Sequence, residues 1–350
     1  MTDKPWKPIE QLPYAYGGGA GTGMIRHTPE DFRVDEVLGF SPDDEGEHLL
    51  VQIRKRKTNT QWLAGQLAKL AGISAKDVGY AGMKDRHAVT TQWFSLGMAG
   101  RPEPEWKTLE DELIQVLAVH RHRRKLRRGS LRGNRFVLSI RQLNVDQTLL
   151  EKRLRQLKIS GMPNYFGEQR FGHDYSNLTE ASRLFSPERP RMTRSLRGLV
   201  ISAARSQLFN QVLAERIEQG VWNSPLPGDY FNLDGSRSGF PSHEEEDDLL
   251  AKRCLALDIH PTGPLWGRGR NLVSDDSGEL EARVLEPFDL WRNGLEHVGL
   301  NQERRSLRIS LSDLDWRFLQ DGSLELDFFL PAGSFATALL RELIDYSADS

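Results

Sequence analysis

The sequence predicts an α/β protein of the α+β kind, with one discontinuous domain built on a mixed or antiparallel sheet and a second α/β domain inserted into it. Three observations lead there. Strand-like alternation and helical stripes are interleaved as far as Gly161. Beyond it the chain turns helix-rich and then loop-punctuated. Strand signals return near the C-terminus, so that both ends feed one sheet.

Phe32, Val34, Leu38 and Phe40 share one side of a period-two pattern. After the turn Asp43-Asp44-Glu45-Gly46, residues 48–53 continue in extended style, which predicts two paired strands. Thr58-Asn59-Thr60 supplies capping side chains, and Leu63, Leu67 and Leu70 recur at helical spacing until Gly72 stops the pattern. Residues 78–80 and 90–96 read as strands with a loop over 81–87 between them. Phe136, Leu138 and Ile140 alternate on a further strand over 134–141, and Asp146 caps a helix striped by Leu150, Leu154 and Leu157. A helix is expected around 202–219 and Pro/Gly-punctuated loops over 223–241. Asp321-Gly322 between 315–319 and 324–330 predicts a hairpin, and Ser334 caps a last helix through Leu343.

At 350 residues, with 38% hydrophobic and 27% charged content, the chain has room for two domains. A polar start and the absence of a bilayer-length apolar run lead to the expectation of a cytoplasmic protein. One cysteine, Cys254, excludes a disulfide framework and a Cys-rich zinc site. The net charge of −2 is unevenly spread. Arg123, Arg124, Lys125, Arg127, Arg128 and Arg132 form a dense basic run, while acid collects over 244–248. Such polarity suits a basic groove for nucleic-acid phosphates on a nearly neutral protein.

The most informative stretch is Gly82-Met83-Lys84-Asp85-Arg86-His87-Ala88, which sets one carboxylate between two cations. Lys84 and Arg86 favour the ionised form that a nucleophile or base needs, whereas an exposed charged turn is the plainer reading. Within 120–136 the basic run leads through Gly133-Asn134 into a strand, placing phosphate-binding guanidiniums beside an amide able to read a base edge. His120 and His122 lack the companions of a metal site. Residues 161–172 read as a packed hinge. In Pro331-Ala332-Gly333-Ser334-Phe335, Phe335 is equally a core residue or a stacking surface. Gly17 to Gly23 lacks the Gly-Lys-Ser/Thr ending of a phosphate loop and reads as a flexible entry segment.

Taken together, the 82–88 stretch, Leu131 to Phe136, Pro163 to Gly172, Ser202 to Ser206 with Phe209-Asn210, and Pro331 to Thr337 resemble the TruD family of tRNA pseudouridine synthases. The resemblance spans nearly the whole chain and is weakest over 222–304. It implies a catalytic domain formed by 1–161 and 304–350, interrupted by the family's own inserted domain over 162–303. It also implies isomerisation of a tRNA uridine, typically uridine-13 in the D-stem region. Asp85 matches the catalytic aspartate, Phe32, Asn134 and Phe335 match positions lining the uridine pocket, and Arg26 is similar to the basic partner of the aspartate. No cofactor or metal is implied, tRNA is the expected partner, and a monomer is expected. The competing classes are a non-catalytic RNA-binding protein and a nuclease using His87, His120 or His122.

Overall fold

A computed structural model describes residues 5–348 apart from 128, 189, 237 and 245, and no side chain of Glu244. The chain opens with β1 (Gly21–Ile25), β2 (Phe32–Leu38) and β3 (His48–Arg56), then α1 (Thr60–Leu70), β4 (Val78–Tyr80), β5 (Val89–Gly97), β6 (Ile114–His122) and the long β7 (Leu131–Val145). A helical stretch follows with α2 (Gln147–Ser160), the short β8 (Met162–Pro163), α3 (Ser176–Phe185) and α4 (Arg194–Glu218). Next come β9 (Tyr230–Leu233), β10 (Gly239–Pro241), α5 (Asp247–Leu255), β11 (Ile259–Leu265), α6 (Asp275–Leu285), α7 (Asp289–His297), β12 (Glu303–Ser306) and β13 (Arg308–Ile309). The end of the chain supplies β14 (Asp315–Phe318), β15 (Leu324–Pro331), α8 (Ala336–Leu343) and β16 (Asp345–Ala348).

These elements form two compact units. One comprises Gly21–Asp146, Asp313–Gly333 and Asp345–Ser350; the other comprises Met1–Ala20, Gln147–Ser312 and Ser334–Ile344. The cuts differ from the domain bounds that the family resemblance implies, since α2 and the first twenty residues group by compactness with the helix-rich part.

The first unit is a ten-stranded mixed sheet with the order β14-β15-β7-β2-β5-β3-β6, to which β1, β16 and β4 attach. Both ends of the chain enter it, as expected. Its core is set by alternation along β3: Leu49, Val51 and Ile53 pack with Leu63 and Leu67 of α1 and with Phe94 and Leu96 of β5. Leu50, on the opposite face, packs with Trp93, Ala81 and Leu126. A strand buried on both faces accounts for the nearly continuous apolar run at 49–51. Asn59 caps α1 by accepting from the amides of Gln61 and Trp62.

Several expectations need correction. Strands β2 and β3 are not partners, because β5 lies between them, parallel to β2 and antiparallel to β3. The glycine-rich segment is not all loop, since β1 begins at Gly21. The 223–241 stretch holds β9 and β10, which pair with each other. The N-cap of α8 is Phe335 rather than Ser334, with no side-chain cap.

The second unit has a four-stranded sheet, β10-β9-β11-β12, and a short β13-β8 pair. Helix α4 supplies much of its core through Val200, Ala203, Ala204, Leu208, Phe209, Val212 and Leu213. Segment 162–167 is buried inside this unit. Cys254 is buried as well, and burial pushes its thiol up to about 11.

Candidate active site

Asp85 lies on the loop between β4 and β5, and that loop is fastened at both ends of its approach. The Gln92 side-chain amide of β5 donates to the Gly82 carbonyl at 2.7 Å, and the Lys84 amide donates to Thr60 Oγ1 at 3.1 Å. Thr60 Oγ1 in turn donates to Gln92 Oε1 at 3.1 Å. The first turn of α1 and the start of β5 therefore fix the backbone just before the aspartate.

Among the described residues the carboxylate has two partners. Arg26 Nη2 stands 2.8 Å from Asp85 Oδ2, and the His87 amide donates to Oδ1 at 3.0 Å. Each oxygen keeps a further lone pair, and a third of the side chain is exposed, so a substrate can reach it. Arg26 is aimed by its backbone, which takes a left-handed φ of 59° just after β1. The following turn is locked. Thr28 and Asp31 form a reciprocal capping box, and Arg141 of β7 pairs with buried Asp31 at 2.8 Å. Burial would raise the Asp31 carboxyl, but hydrogen bonds from Arg141 and Thr28 hold it below the usual range.

The Arg26 guanidinium also lies over the Phe32 ring, 4.2 Å from its centroid, and Phe32 meets Phe136 edge-on. Phe32 is 5% exposed, so one face of the ring carries the cation while the rest is core. Asn134 of β7 is directly opposite Glu36 of β2, which places the two side chains on one face of the sheet. The Asn134 Oδ1 is buried and accepts no hydrogen bond from the described residues.

Under the loop lies a polar cluster that reading the sequence did not find. Glu36, with its side chain fully buried, is 2.5 Å from Lys84 Nζ and accepts from the Trp93 amide at 2.8 Å. Burial pushes the Glu36 carboxyl above its ordinary value despite Lys84. Lys55 of β3, 1% exposed, donates to the Thr58 carbonyl at 2.7 Å and reaches the Asp85 carbonyl at 3.5 Å. The signal was present. Glu36 is a carboxylate at an inward position of the alternation Phe32, Val34, Glu36, Leu38, and a charge in that register requires a buried partner.

Two expectations about charge change here. Lys84 turns inward to Glu36, and Arg86 donates to the Lys57 carbonyl at 3.4 Å, so the cation on the Asp85 carboxylate is Arg26, not a sequence neighbour. Within the basic run, Arg123 is paired with Glu45 and its amide donates to Asp43 at 3.0 Å; Lys125 donates to the Lys76 carbonyl. Arg124 and Arg127 are exposed, Arg132 lies 5.4 Å over the Phe329 ring, and Arg128 is outside the described residues. His120 and His122 stand 3.0 and 2.7 Å from Asp44 and Asp43.

Phe335 belongs to the other unit. There it is half-buried, edge-on to Phe166 at 6.0 Å with the Arg170 guanidinium 5.7 Å from its centroid. The 161–172 segment is what shapes its surroundings. A side chain at Gly167 would meet Thr337 Oγ1 at 2.7 Å.

An α+β protein with a mixed sheet and a clamped aspartate loop is the class that fold and site define. Over 98% of both chains the fold matches, with a TM-score of 0.72 and 23% identity, that of a solved structure from Methanosarcina mazei bearing the name tRNA pseudouridine synthase D. The sequence model of the family described as tRNA pseudouridine synthase D (TruD) matches residues 9–184 and 177–343. A tRNA pseudouridine synthase D of Nitrosococcus oceani is 51% identical, covering 94% of this chain and 93% of its own. One from Methylococcus capsulatus is 48% identical over 99% and 98%. The chain belongs to the TruD family of tRNA pseudouridine synthases, isomerases that convert uridine to pseudouridine.

Proposed function

We propose that this protein isomerises one uridine of tRNA, uridine-13 in the D-stem region, with Asp85 as the group that attacks the extruded nucleotide. The observation that carries the reading is a carboxylate on a clamped loop, one third exposed, with a guanidinium 2.8 Å from one oxygen and an open lone pair on each. The bond from the sugar to N1 of the base breaks and one to carbon 5 forms. Carbon 5 loses a proton and N1 gains one, so neither an oxidant nor a group donor enters the balance. A carboxylate serves this chemistry by covalent attack or by taking a sugar proton.

The target base leaves the stack at a cost of a few kcal/mol. In this reading Phe32 and Asn134 receive it. The Asn134 amide, which the family resemblance places at the uridine, reads the uracil edge, and Arg26 keeps the aspartate aimed. Exposed Arg124, Arg127 and Arg132 hold the RNA backbone, with Arg123 and Lys125 contributing less because protein groups already engage them. Residues 1–161 with 304–350 act as the catalytic domain and 162–303 as an insert, and the enzyme works as a cytoplasmic monomer. Among the described residues, no helix is long and apolar enough to cross a membrane.

The test is incubation with an unmodified tRNA transcript, without added metal or nucleotide, followed by mapping of pseudouridine at single-nucleotide resolution. Product at one D-stem uridine is expected. Product at another uridine would move the assigned position, and binding without product would replace catalysis by an RNA-binding role.

A further inference from the structure

We infer that Lys55 is a positioning residue for the reaction: its buried ammonium ties the end of β3 to the main chain of Asp85 and holds the aspartate loop in register. The inference rests on the proposed role of Asp85.

The observations are geometric. Lys55 is among the largest side chains buried to less than 2% exposure, on a strand whose register neighbours are Thr90 of β5 and Ile114 of β6. An ammonium in such a position is costly unless it is engaged. Its Nζ donates to the Thr58 carbonyl at 2.7 Å and stands 3.5 Å from the Asp85 carbonyl. Two residues beyond Thr58, Thr60 Oγ1 accepts from the Lys84 amide at 3.1 Å. These contacts close a circuit from β3 through the start of α1 to the loop and back to β3. Asp85 sits at the point of closure. On its outer side the carboxylate is held by Arg26; on its inner side the carbonyl faces Lys55.

The charge balance argues against packing alone. Lys55 shares its surroundings with a second ammonium, Lys84, while the charges that favour it are Asp85 and Glu36. Glu36 is already in contact with Lys84. An apolar side chain of similar length would fill the space without bringing two ammoniums together, and buried groups kept in unfavourable surroundings cluster at functional sites. Burial first, then Lys84, push the Lys55 ammonium down to about 8, against the opposing pull of Asp85 and Glu36. Lys55 is therefore charged below about pH 8 and loses that charge as pH rises through it.

The experiment measures the single-turnover rate constant of pseudouridine formation on an unmodified tRNA transcript between pH 6 and 10. Wild type, Lys55→Met and Lys55→Arg are compared, with tRNA affinity and thermal unfolding recorded for each. Wild type should lose rate above about pH 8. Lys55→Met should lose on the order of a hundredfold in rate constant, the scale of a 1 Å misplacement, with tRNA affinity unchanged and no alkaline decline. Lys55→Arg keeps its charge throughout and should extend the plateau to higher pH. If Lys55→Met does not fold, the wild-type and Lys55→Arg profiles decide alone. A wild-type rate flat from pH 7 to 9.5, an alkaline decline common to all three proteins, or a folded Lys55→Met with normal rate would overturn the inference while leaving the role of Asp85 intact. A wild type that forms no pseudouridine would remove both.

Discussion

Replacing Lys84 with methionine isolates the buried pair beneath the aspartate loop. The Glu36 side chain is fully buried and that of Lys84 is 9% exposed, 2.5 Å away, so the pair belongs with buried rather than surface ion pairs. In Lys84→Met the glutamate keeps the Trp93 amide and the influence of Lys55 but loses its contact cation. Breaking a buried pair from one side costs about 3–5 kcal/mol, because an uncompensated charge is left behind. Lys84→Met combined with Glu36→Gln should recover much of that loss, since replacing both partners is close to neutral. The dependence on pH has a definite sign. Burial already holds the Glu36 carboxyl above its ordinary 4.5, and removing Lys84 takes it higher. A raised carboxyl stabilises the fold while protonated and loses that contribution as pH rises through its folded value. The deficit of Lys84→Met relative to wild type should thus be largest at neutral pH and shrink on acidification. Urea unfolding of the two single variants and the double variant at pH 5 and 7.5 measures this. A deficit below about 1 kcal/mol, or one unchanged between the two pH values, would refute the buried-pair account.

The other expectations concern RNA contact and stability. Arg124→Ala and Arg127→Ala should each weaken tRNA binding and lower the slope of log affinity against log salt by about 1, whereas Arg123→Ala should do less because Glu45 already holds that guanidinium; filter binding at graded salt decides. Asp229→Ala removes a buried carboxylate that accepts from both terminal nitrogens of Arg216 at 2.8 Å and from Ser277 at 2.7 Å, so urea unfolding should show a loss of about 3–5 kcal/mol. In Gly133→Ala the new methyl group would lie 2.2 Å from the Leu330 carbonyl oxygen, forcing β7 and β15 apart at a cost on the order of 1–3 kcal/mol, readable as a lowered melting temperature.

Elements announced by local chemistry were legible in the sequence. Asn59 capping α1, Gly322 turning between β14 and β15 with φ of 80°, and the leucine stripe of α2 act within a few residues of themselves. Non-local pairing was not. Nothing in β2 or β3 says that β5 will lie between them, because that placement depends on a parallel pairing more than fifty residues apart in sequence. Strands β9 and β10 are four and three residues long, too short for a period to be visible in a Pro/Gly-rich stretch. At the site, the residues around Asp85 carried the family resemblance, which also pointed to Arg26 as the partner of the aspartate, whereas chain adjacency alone pointed to Lys84 and Arg86. Lys84 points away to Glu36, and Arg26, nearly sixty residues earlier, takes its place. Lys55 was hidden among the cations of 54–57, where only folding distinguishes the one that turns inward.

The most direct test of the central claim is to compare wild type and Asp85→Asn for pseudouridine formation on the same tRNA, with binding measured in parallel. The two side chains have the same size and differ in charge, so loop geometry and tRNA affinity should persist while product at the D-stem uridine disappears. Turnover by Asp85→Asn at a rate near that of wild type would contradict the account, whatever the other residues of the site were found to do.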